Sequence, residues 1–578
     1  MRGQRTASVA GATAALAIVV AGATAALAIV ALQGCGGGGS SSGPVSSSPP
    51  ATPPAADSPP AANPPPASGQ PPATPMGIDV ATYKYDVARS GANTAEVILT
   101  PANVNKDNFG LLRVLPVDGK VDAQPLLASQ LMISGVAHNV VYVATEHDSV
   151  YAFDADTGAA VWHVSLLGSG ESLSDTHGCG QVSPEIGITS TPVMDRTAGT
   201  GGALYVVAMS KDASGGYYQR LHALDPATGA ELFGGPVGIS ATYPAAGGGT
   251  TTFDPGQHAE RAALLLSQGV LYTSWTSHCD NTPYGGWVIA YDPKTLARTA
   301  VLNLAPNSAE RGPSIWMSGG GPAADAAGNV YLLTANGVFE TTLDAKGYPS
   351  GQDYGNSFVR LASGAGTLSV ADYFTMKNEL AESSADRDLG SGGAMLLPDL
   401  TDAAGTVRHL MVGAGKDGNL YVVDRDSMGK FDPGANHIWQ ELDGVLPSGI
   451  WSTPAYLNGT VYYADAGGSL KAFAMTNAKL SATPTSQTLT TFGYPGTAPV
   501  ASANGNVGGI IWAHENTDPA VLHAYDAADL AHELYNSNQA AGGRDHFGTG
   551  NKFVNPVVAN GKVFVGTTAG VAVFGLLQ

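Results

Sequence analysis

Short apolar stretches alternate with polar turn sequences along most of the chain. Val140–Ala144 and Val150–Asp154 are rich in valine and aromatic residues, and Thr-Glu-His-Asp lies between them. A third apolar stretch, Val161–Val164, follows an Asp-Thr-Gly turn. Because β-branched and aromatic runs bounded by turn residues are typical of strands, this region predicts three antiparallel strands joined by tight turns.

The same unit recurs, which gives eight copies in all. The seven further copies centre on Ala203–Val207 with Leu221–Gly229, Val270–Ser274 with Val288–Asp292, Val330–Leu333, His409–Val412 with Leu420–Asp424, Val461–Tyr463 with Leu470–Phe473, Ile510–Trp512 with Leu522–Asp526, and Val563–Val565 with Val571–Val573. A fixed repeat of this size indicates that each copy is one supersecondary unit.

Another short strand precedes each copy. Six of these strands carry a proline, and the other two are Ala262–Leu266 and Ala394–Leu397. The six prolines are Pro125, Pro192, Pro322, Pro454, Pro499 and Pro556. Proline lacks the N–H that a central strand donates, so it is confined to edges and first positions. We therefore place this strand innermost, along a central channel.

These units predict an all-β fold, an eight-bladed β-propeller of four-stranded antiparallel blades. The repeats average about 59 residues, a size suited to propeller blades. The last unit ends after three strands, whereas Phe109–Val117 is a spare strand before the first unit. We expect this N-terminal strand to complete the last blade and close the ring. An open solenoid is the alternative.

The N-terminus has the pattern of an export signal. Arg2 and Arg5 precede an apolar stretch that ends in Leu-Gln-Gly-Cys at Cys35. This ending resembles the bacterial lipoprotein signal, which implies cleavage after residue 34, lipidation of Cys35 and, because Gly36 follows, the outer membrane. An uncleaved anchor helix is the alternative. Residues 35–80, rich in Gly, Ser and Pro, predict a disordered tether, and residues 81–578 the propeller.

Composition narrows the function classes. The formal net charge of −20 argues against nucleic-acid binding, which needs a basic surface. Gly and Pro are frequent (75 and 37 residues) while only 13% of residues are charged, as expected for many strands and turns. Three cysteines are too few for a disulfide-based scaffold or a four-cysteine zinc site.

The repeats also indicate a family. The phrases VYVATEHDSVYAFDADTGAAVW and LHALDPATGAEL resemble the repeats of the quinoprotein alcohol dehydrogenase-like propellers. That resemblance covers most of the chain after residue 80. It implies the propeller fold strongly and the activity weakly, because non-enzymatic propellers share the repeat.

Propeller topology predicts where chemistry would lie. The connections from an outer strand to the next inner strand share one face with the turns between second and third strands. Both surround the channel mouth, where a ligand would bind. An ordinary solvated rim of ion pairs is the alternative. The candidates selected from these connections are Trp316, Asp386, Arg387, Asp388, Trp451, Arg544, Asp545 and His546, and Arg261, His278 and Lys552 lie in the same loops.

Each candidate has a chemical reason. Trp316 and Trp451 offer indoles for stacking a flat ligand, and Arg387 and Arg544 offer guanidinium forks for an anion. With His546, these four form the predicted cofactor-binding set. The catalytic candidates are Asp386, Asp388 and Asp545, as a base or as calcium ligands. No metal site is predicted.

The sequence allows three interpretations of Cys179 and Cys279. Cys179 and Cys279 fall on the predicted mouth face in neighbouring blades, so a disulfide is expected in an exported protein. A zinc site of His177, Cys179, His278 and Cys279 and two free thiols are the alternatives.

Two hypotheses about the function of the protein are compatible with the sequence. One is an exported, lipid-anchored monomer that binds a small molecule or a protein partner through its mouth loops, on the periplasmic or cell-surface side of the outer membrane. The other, implied by the resemblance, is a periplasmic alcohol or sugar dehydrogenase that uses pyrroloquinoline quinone and calcium. The family's enzymes show two adjacent cysteines, and this chain has no such pair.

Overall fold

Eight antiparallel sheets follow one another along the chain and form the blades of a β-propeller. The structure is a computed structural model that describes residues 77–245, 247–307, 312–364 and 366–578. The predicted signal sequence, Cys35 and nearly all of the predicted tether lie outside the described residues. Among the described residues, no helix has the length and apolar character needed to cross a bilayer.

In blades one to four, the strands follow one another from the channel outwards. Blade one consists of Leu126–Ile133, Val136–Ala144, Ser149–Asp154 and Ala160–Ser165. Blade two consists of Val193–Asp195, Ala203–Asp212, Tyr217–Leu224 and Val237–Gly238, with Glu171–Leu173 paired to its second strand. Blade three consists of Leu265–Ser267, Val270–Ser277, Trp287–Tyr291 and Arg298–Asn303, with His258–Glu260 on its second strand. Blade four consists of Ala323–Ala324, Val330–Leu333, Ser357–Gly364 and Thr367–Thr375.

Blades five to eight complete the ring. Blade five consists of Met395–Leu396, Leu410–Ala414, Leu420–Asp424 and Gln440–Leu442. Blade six consists of Ala455–Leu457, Thr460–Ala464, Ser469–Thr476 and Ser486–Thr491, with Lys479–Leu480 on its third strand. Blade seven consists of Val500–Asn504, Val507–Glu515, Val521–Asp526 and Asp529–Asn536, with Ala92–Asn93 parallel to its inner strand. Blade eight consists of Val557–Ala559, Lys562–Gly566, Gly570–Leu576 and Phe109–Pro116.

Few other elements occur in the described part of the chain. The elements outside the blades are the hairpins Thr242–Pro244 with Thr250–Thr252 and Leu400–Thr401 with Val407–Arg408, the α-helix Glu379–Ser384, and the 3-10 turns Met317–Gly319, Leu389–Ser391 and Ala541–Gly543. These short segments lie in connections between strands, so the propeller itself is entirely β.

The sequence predictions of blade order and closure are confirmed. The six proline-led inner strands begin at the residue after the proline, so no proline interrupts a ladder. Phe109–Pro116 pairs antiparallel with Gly570–Leu576 and supplies the missing outer strand of blade eight. The buried ring of Phe109 lies 5.5 Å from that of Trp512 and 5.0 Å from that of Tyr535, so the closing strand also packs against blade seven.

The recurrent tyrosines of the second strands join neighbouring blades. The hydroxyl of Tyr142 donates to the carbonyl of Pro226 at 2.9 Å, and that of Tyr205 donates to Pro293 at 3.0 Å. In each case the acceptor lies in the Asp-Pro turn of the following blade. These buried rings therefore fill the space between sheets while each polar end finds a partner.

Residues 77–93 seal the channel at the face opposite the predicted mouth. Along this segment, Val80, Ala81, Val87, Ala88, Ser90 and Gly91 exchange backbone hydrogen bonds with the inner strands of blades one, two, four, five, six and seven. The hydroxyl of Tyr85 accepts from the backbone N–H of Val558 in blade eight at 2.8 Å. The folded unit therefore begins before residue 81, because residues 77–80 already contact the ring.

Two buried cations rise from this segment into the channel. The guanidinium of Arg89 donates to the carbonyls of Pro322, Tyr83 and Leu264 and to the hydroxyl of Thr82. The Lys84 ammonium donates to the carbonyls of Pro454 and Pro499. The base of the channel is thus closed by two basic side chains that are hydrogen-bonded to carbonyl and hydroxyl groups of the protein.

Candidate functional site

The connections predicted to share a face meet at one mouth of the channel and enclose a pocket of about 280 Å³. Its walls come from blades two to five and from the loops that join them. The lining residues are Cys179, Gln181, Val182, Ile186, Thr189, Ala259, Arg261, Thr276, Ser277, His278, Cys279, Asp280, Ser314, Trp316, Ala335, Asp386, Asp388 and Lys416.

A disulfide forms one wall of the pocket. Cys179 and Cys279 are bonded, with their Cα atoms 5.4 Å apart, so the loop before blade two is tied to the second turn of blade three. Beside them the imidazoles of His177 and His278 stack with centroids 4.1 Å apart. Burial, together with the neighbouring His177, lowers the pKa of His278 to about 3, so this imidazole is neutral. This part of the wall therefore combines an apolar disulfide with the uncharged imidazole of His278.

An ion-pair cluster forms the facing wall. The Lys416 ammonium lies 3.1 Å from Asp386 and 2.5 Å from Asp388. The Asp388 carboxylate also accepts the backbone N–H of Asn336 at 2.7 Å. Burial raises the pKa of Asp388, and the lysine opposes that effect. Both carboxylates are therefore held by one cation that comes from the neighbouring blade.

Four aromatic side chains line the mouth from the pocket to its far side. The rings of Trp316 and Phe553 meet edge to face at 5.5 Å, Phe553 and Tyr494 at 6.3 Å, and Tyr494 and Trp451 at 5.2 Å. We call this set the aromatic arc. Its members range from the buried Phe553 to the exposed Tyr494, and its apolar surface meets the pocket at Trp316.

Three cations gather beside the arc. The Arg261 guanidinium and the Lys552 ammonium lie 5.6 Å and 5.4 Å from the centre of the Phe553 ring, and Lys120 bonds Asp122 at 3.0 Å. We call Lys120, Arg261 and Lys552 the cationic centre. Burial and the nearby Lys120 lower the pKa of Lys552, which is the direction expected when cations are crowded together.

Comparisons with known proteins agree with this architecture. Residues 147–241 match the family model described as outer membrane protein assembly factor BamB. Quinohemoprotein alcohol dehydrogenase from Comamonas testosteroni is similar in structure, with 17% identity, a TM-score of 0.56, and 86% of this chain and 80% of that chain covered. The chain therefore shares the β-propeller fold of that enzyme.

Two further dehydrogenase structures are similar to the same extent. The alcohol dehydrogenase ADHIIG from Pseudomonas putida HK5 is 15% identical, with a TM-score of 0.55 and coverage of 86% and 80%. A europium-containing methanol dehydrogenase is 14% identical, with a TM-score of 0.55 and coverage of 86% and 98%. A search of curated protein sequences finds no match.

The mouth brings together some of the predicted site residues. Trp316, Asp386 and Asp388 line the pocket with both cysteines, and Trp451 lies on the opposite arm of the aromatic arc. Arg387 lies beside Asp386 and Asp388 in sequence but its side chain is 56% exposed and faces Glu382 at 3.6 Å. It does not line the pocket.

The structure places Arg544, Asp545 and His546 away from the pocket. Arg544 bonds Asp545 at 2.7 Å and donates to the carbonyls of Lys106 and Phe109. Asp545 accepts from the backbone N–H of Leu111 and from the hydroxyl of Tyr535. This pair fastens the closing strand of blade eight, while His546 is exposed. The correction has a geometric reason, because a connection begins at the outer edge of a blade and only its last residues reach the channel.

The site residues that sequence reasoning did not select include Arg261 and Lys552, which it had placed in the mouth loops, and also Phe553 and Lys416. Arg261 and Phe553 come four residues before the next inner strand and Lys552 comes five residues before it, whereas Lys416 lies in a turn between second and third strands. Distance along the connection from the next inner strand is a signal that would have selected Arg261 and Lys552 over Arg544. Nothing in the sequence pairs Lys416 with Asp386.

Pyrroloquinoline quinone and calcium can be tested against these residues. Calcium needs six to eight oxygen ligands. The pocket carboxylates Asp386 and Asp388 already hold the Lys416 ammonium, which takes the position of a cation. Among residues that the structure describes, no cluster of three or more His, Cys, Asp or Glu side chains is placed to hold a metal ion. The pocket residues do not fit a calcium-bound quinone, and we derive no reaction step through one.

Proposed function

We propose that this protein is an exported binding propeller whose mouth pocket takes a small organic molecule. The observation that carries the proposal is the pocket itself, which has an indole, a disulfide and an ion-pair cluster on its walls. Small-molecule sites are concave and combine apolar walls with precisely placed polar groups, and this pocket has both. The volume of about 280 Å³ suits a ligand of fragment size.

Rigid walls support this proposal over a scaffold role for the mouth. The disulfide ties two loops whose cysteines are 100 residues apart, and the Lys416 cluster ties blade four to blade five. Binding loses less free energy to ordering when the site is already fixed. A flat protein-docking surface needs no such enclosed pocket.

A ligand titration tests the proposal. We expect 3-phenylpropanamide, a neutral aromatic probe, to bind the full chain in ligand-observed NMR and to lose that binding in Trp316→Ala. Trp439→Ala is the matched control, because Trp439 lies on the outer edge of blade five under Arg408 and Lys479. Equal binding by both variants, or reduction of an electron-acceptor dye in the presence of the quinone, calcium and a primary alcohol, would contradict the proposal.

We also propose that export ends in lipid anchoring at Cys35. The Leu-Gln-Gly-Cys ending after an apolar stretch supports this, and the Gly-, Ser- and Pro-rich composition of residues 36–75 predicts a tether. Cys35→Ser should release the protein into the soluble periplasmic fraction or block its processing. Unchanged membrane partitioning with unchanged gel mobility would rule out the anchor.

A further inference from the structure

We propose that the ligand carries a carboxylate group, which the cationic centre of Lys120, Arg261 and Lys552 binds while the rest of the molecule lies against Trp316. This inference rests on the proposed function and names its ligand class, an organic carboxylate with an apolar body. The three cations come from three different connections, which precede blades one, three and eight.

Arg261 is the main evidence. Arg261 is 4% exposed and lines the pocket, and its Nη2 atom has no hydrogen-bond partner. Its Nη1 atom has one long hydrogen bond, 3.4 Å to the carbonyl of Thr189. A buried guanidinium without a carboxylate partner is costly, since burial removes water that the protein does not replace. Such a group is expected where a ligand supplies the missing acceptor.

The backbone leaves room for this guanidinium. Gly319 has φ +87°, and a Cβ atom at that position would lie 2.5 Å from Nη1 of Arg261. Any side chain at residue 319 would therefore displace the guanidinium from the mouth. The Gly-Gly-Gly sequence that leads into blade four thus serves to seat a cation beside the pocket.

The local charges do not cancel. Among the described residues, no ion pair joins a carboxylate to Arg261 or to Lys552, and the Lys552 ammonium bonds the neutral amide of Gln181 at 2.9 Å. Asp122 bonds Lys120 and accepts from Asn551. Glu146 accepts from the backbone N–H of Gly187 and from the hydroxyl of Thr189 at 2.9 Å each, and burial together with the nearby Asp122 raises its pKa.

Three cations therefore face two carboxyl groups, Asp122 and Glu146, so positive charge is in excess here although the net charge of the chain is −20. A carboxylate fits the planar fork of a guanidinium in a bidentate manner, which a neutral ligand cannot do. The Phe553 ring beside Arg261 and Lys552 and the indole of Trp316 provide apolar contact for the remainder of the ligand.

The experiment compares 3-phenylpropionate with 3-phenylpropanamide, which has nearly the same shape but no charge. We expect the carboxylate to bind the full chain at least tenfold more tightly at pH 7, measured by ligand-observed NMR and calorimetry. Arg261→Gln and Lys552→Gln should each reduce that preference at least fivefold. Lys294→Gln is the control, because Lys294 is an exposed cation in a turn on the opposite face.

The outcomes separate this inference from the proposed function. If both probes bind with equal affinity and only Trp316→Ala removes binding, the pocket stands and the carboxylate site is wrong. If the preference persists in both glutamine variants, the cationic centre is not its source. If neither probe binds, the proposed function itself fails. Melting temperatures of all variants identify any loss of binding that comes from unfolding.

Discussion

Each end of the channel has a buried arginine, and the two arginines differ in how many hydrogen bonds they make. At the sealed base, Arg89 is fully buried and donates to three carbonyls and a hydroxyl. At the mouth, Arg261 is nearly as buried but has one long hydrogen bond and an unpaired Nη2 atom. A buried guanidinium whose N–H groups are all hydrogen-bonded to the protein stabilises the fold. One that lies in a pocket wall with unpaired N–H groups can bind a ligand.

The largest expected effect distinguishes these two arginines. Arg89→Leu should lower the free energy of unfolding by about 3 kcal/mol or more, because several buried carbonyls lose their only donor. Arg261→Leu should change it by less than about 1 kcal/mol, because little bonding is lost. Urea denaturation followed by tryptophan fluorescence measures both. Equal destabilisation by the two variants would contradict the distinction between base and mouth.

The disulfide at the mouth should have the next largest effect. Replacing Cys179 and Cys279 by serine should cost about 2–4 kcal/mol, because a long loop is no longer closed in the unfolded chain. The same change should weaken binding of 3-phenylpropanamide, since one pocket wall is released. Calorimetric melting and ligand-observed NMR test the two effects. Full binding in the reduced protein would mean that the wall does not need the bond.

The Lys84 side chain, at the sealed end of the channel, makes the stability of the protein depend on pH in the alkaline range. Burial lowers the pKa of Lys84 to about 7, whereas an unfolded lysine titrates near 10.5. Between those values the unfolded chain binds more protons than the folded one, so this lysine makes stability rise with pH. We expect wild type to gain stability relative to Lys84→Met from pH 7 to pH 9, by at most about 1.4 kcal/mol per pH unit. A constant difference across that range would contradict the assignment.

The smallest effect is expected at the rim of blade eight. Arg544→Gln should cost about 1 kcal/mol or less, because the Arg544 side chain is 39% exposed and screened by solvent. It should leave binding of 3-phenylpropionate unchanged, in contrast to Arg261→Gln. Thermal melting and the NMR titration decide this. Loss of binding in Arg544→Gln would return this residue to the site that its sequence position first suggested.

The site was predictable only in part. Trp316, Asp386 and Asp388 were found because propeller topology fixes which connections share a face. Arg544 was misplaced, since topology says nothing of how far along a connection a residue lies from the channel. Residues 77–93 carried no strand pattern in the sequence, yet they seal the base through backbone hydrogen bonds to the inner strands of six blades.

The sequence alone determined the repeat, the number of blades, the inner position of the proline-led strands and closure by Phe109–Pro116. These follow from local rules, since alternation, turn residues and the missing N–H of proline act within a few residues. Only the tertiary structure decided that Cys179 meets Cys279, that Lys416 joins Asp386 to Asp388, and that Arg261 and Lys552 lie against one phenylalanine. Those contacts join residues from different blades, and their distances depend on how the whole ring closes.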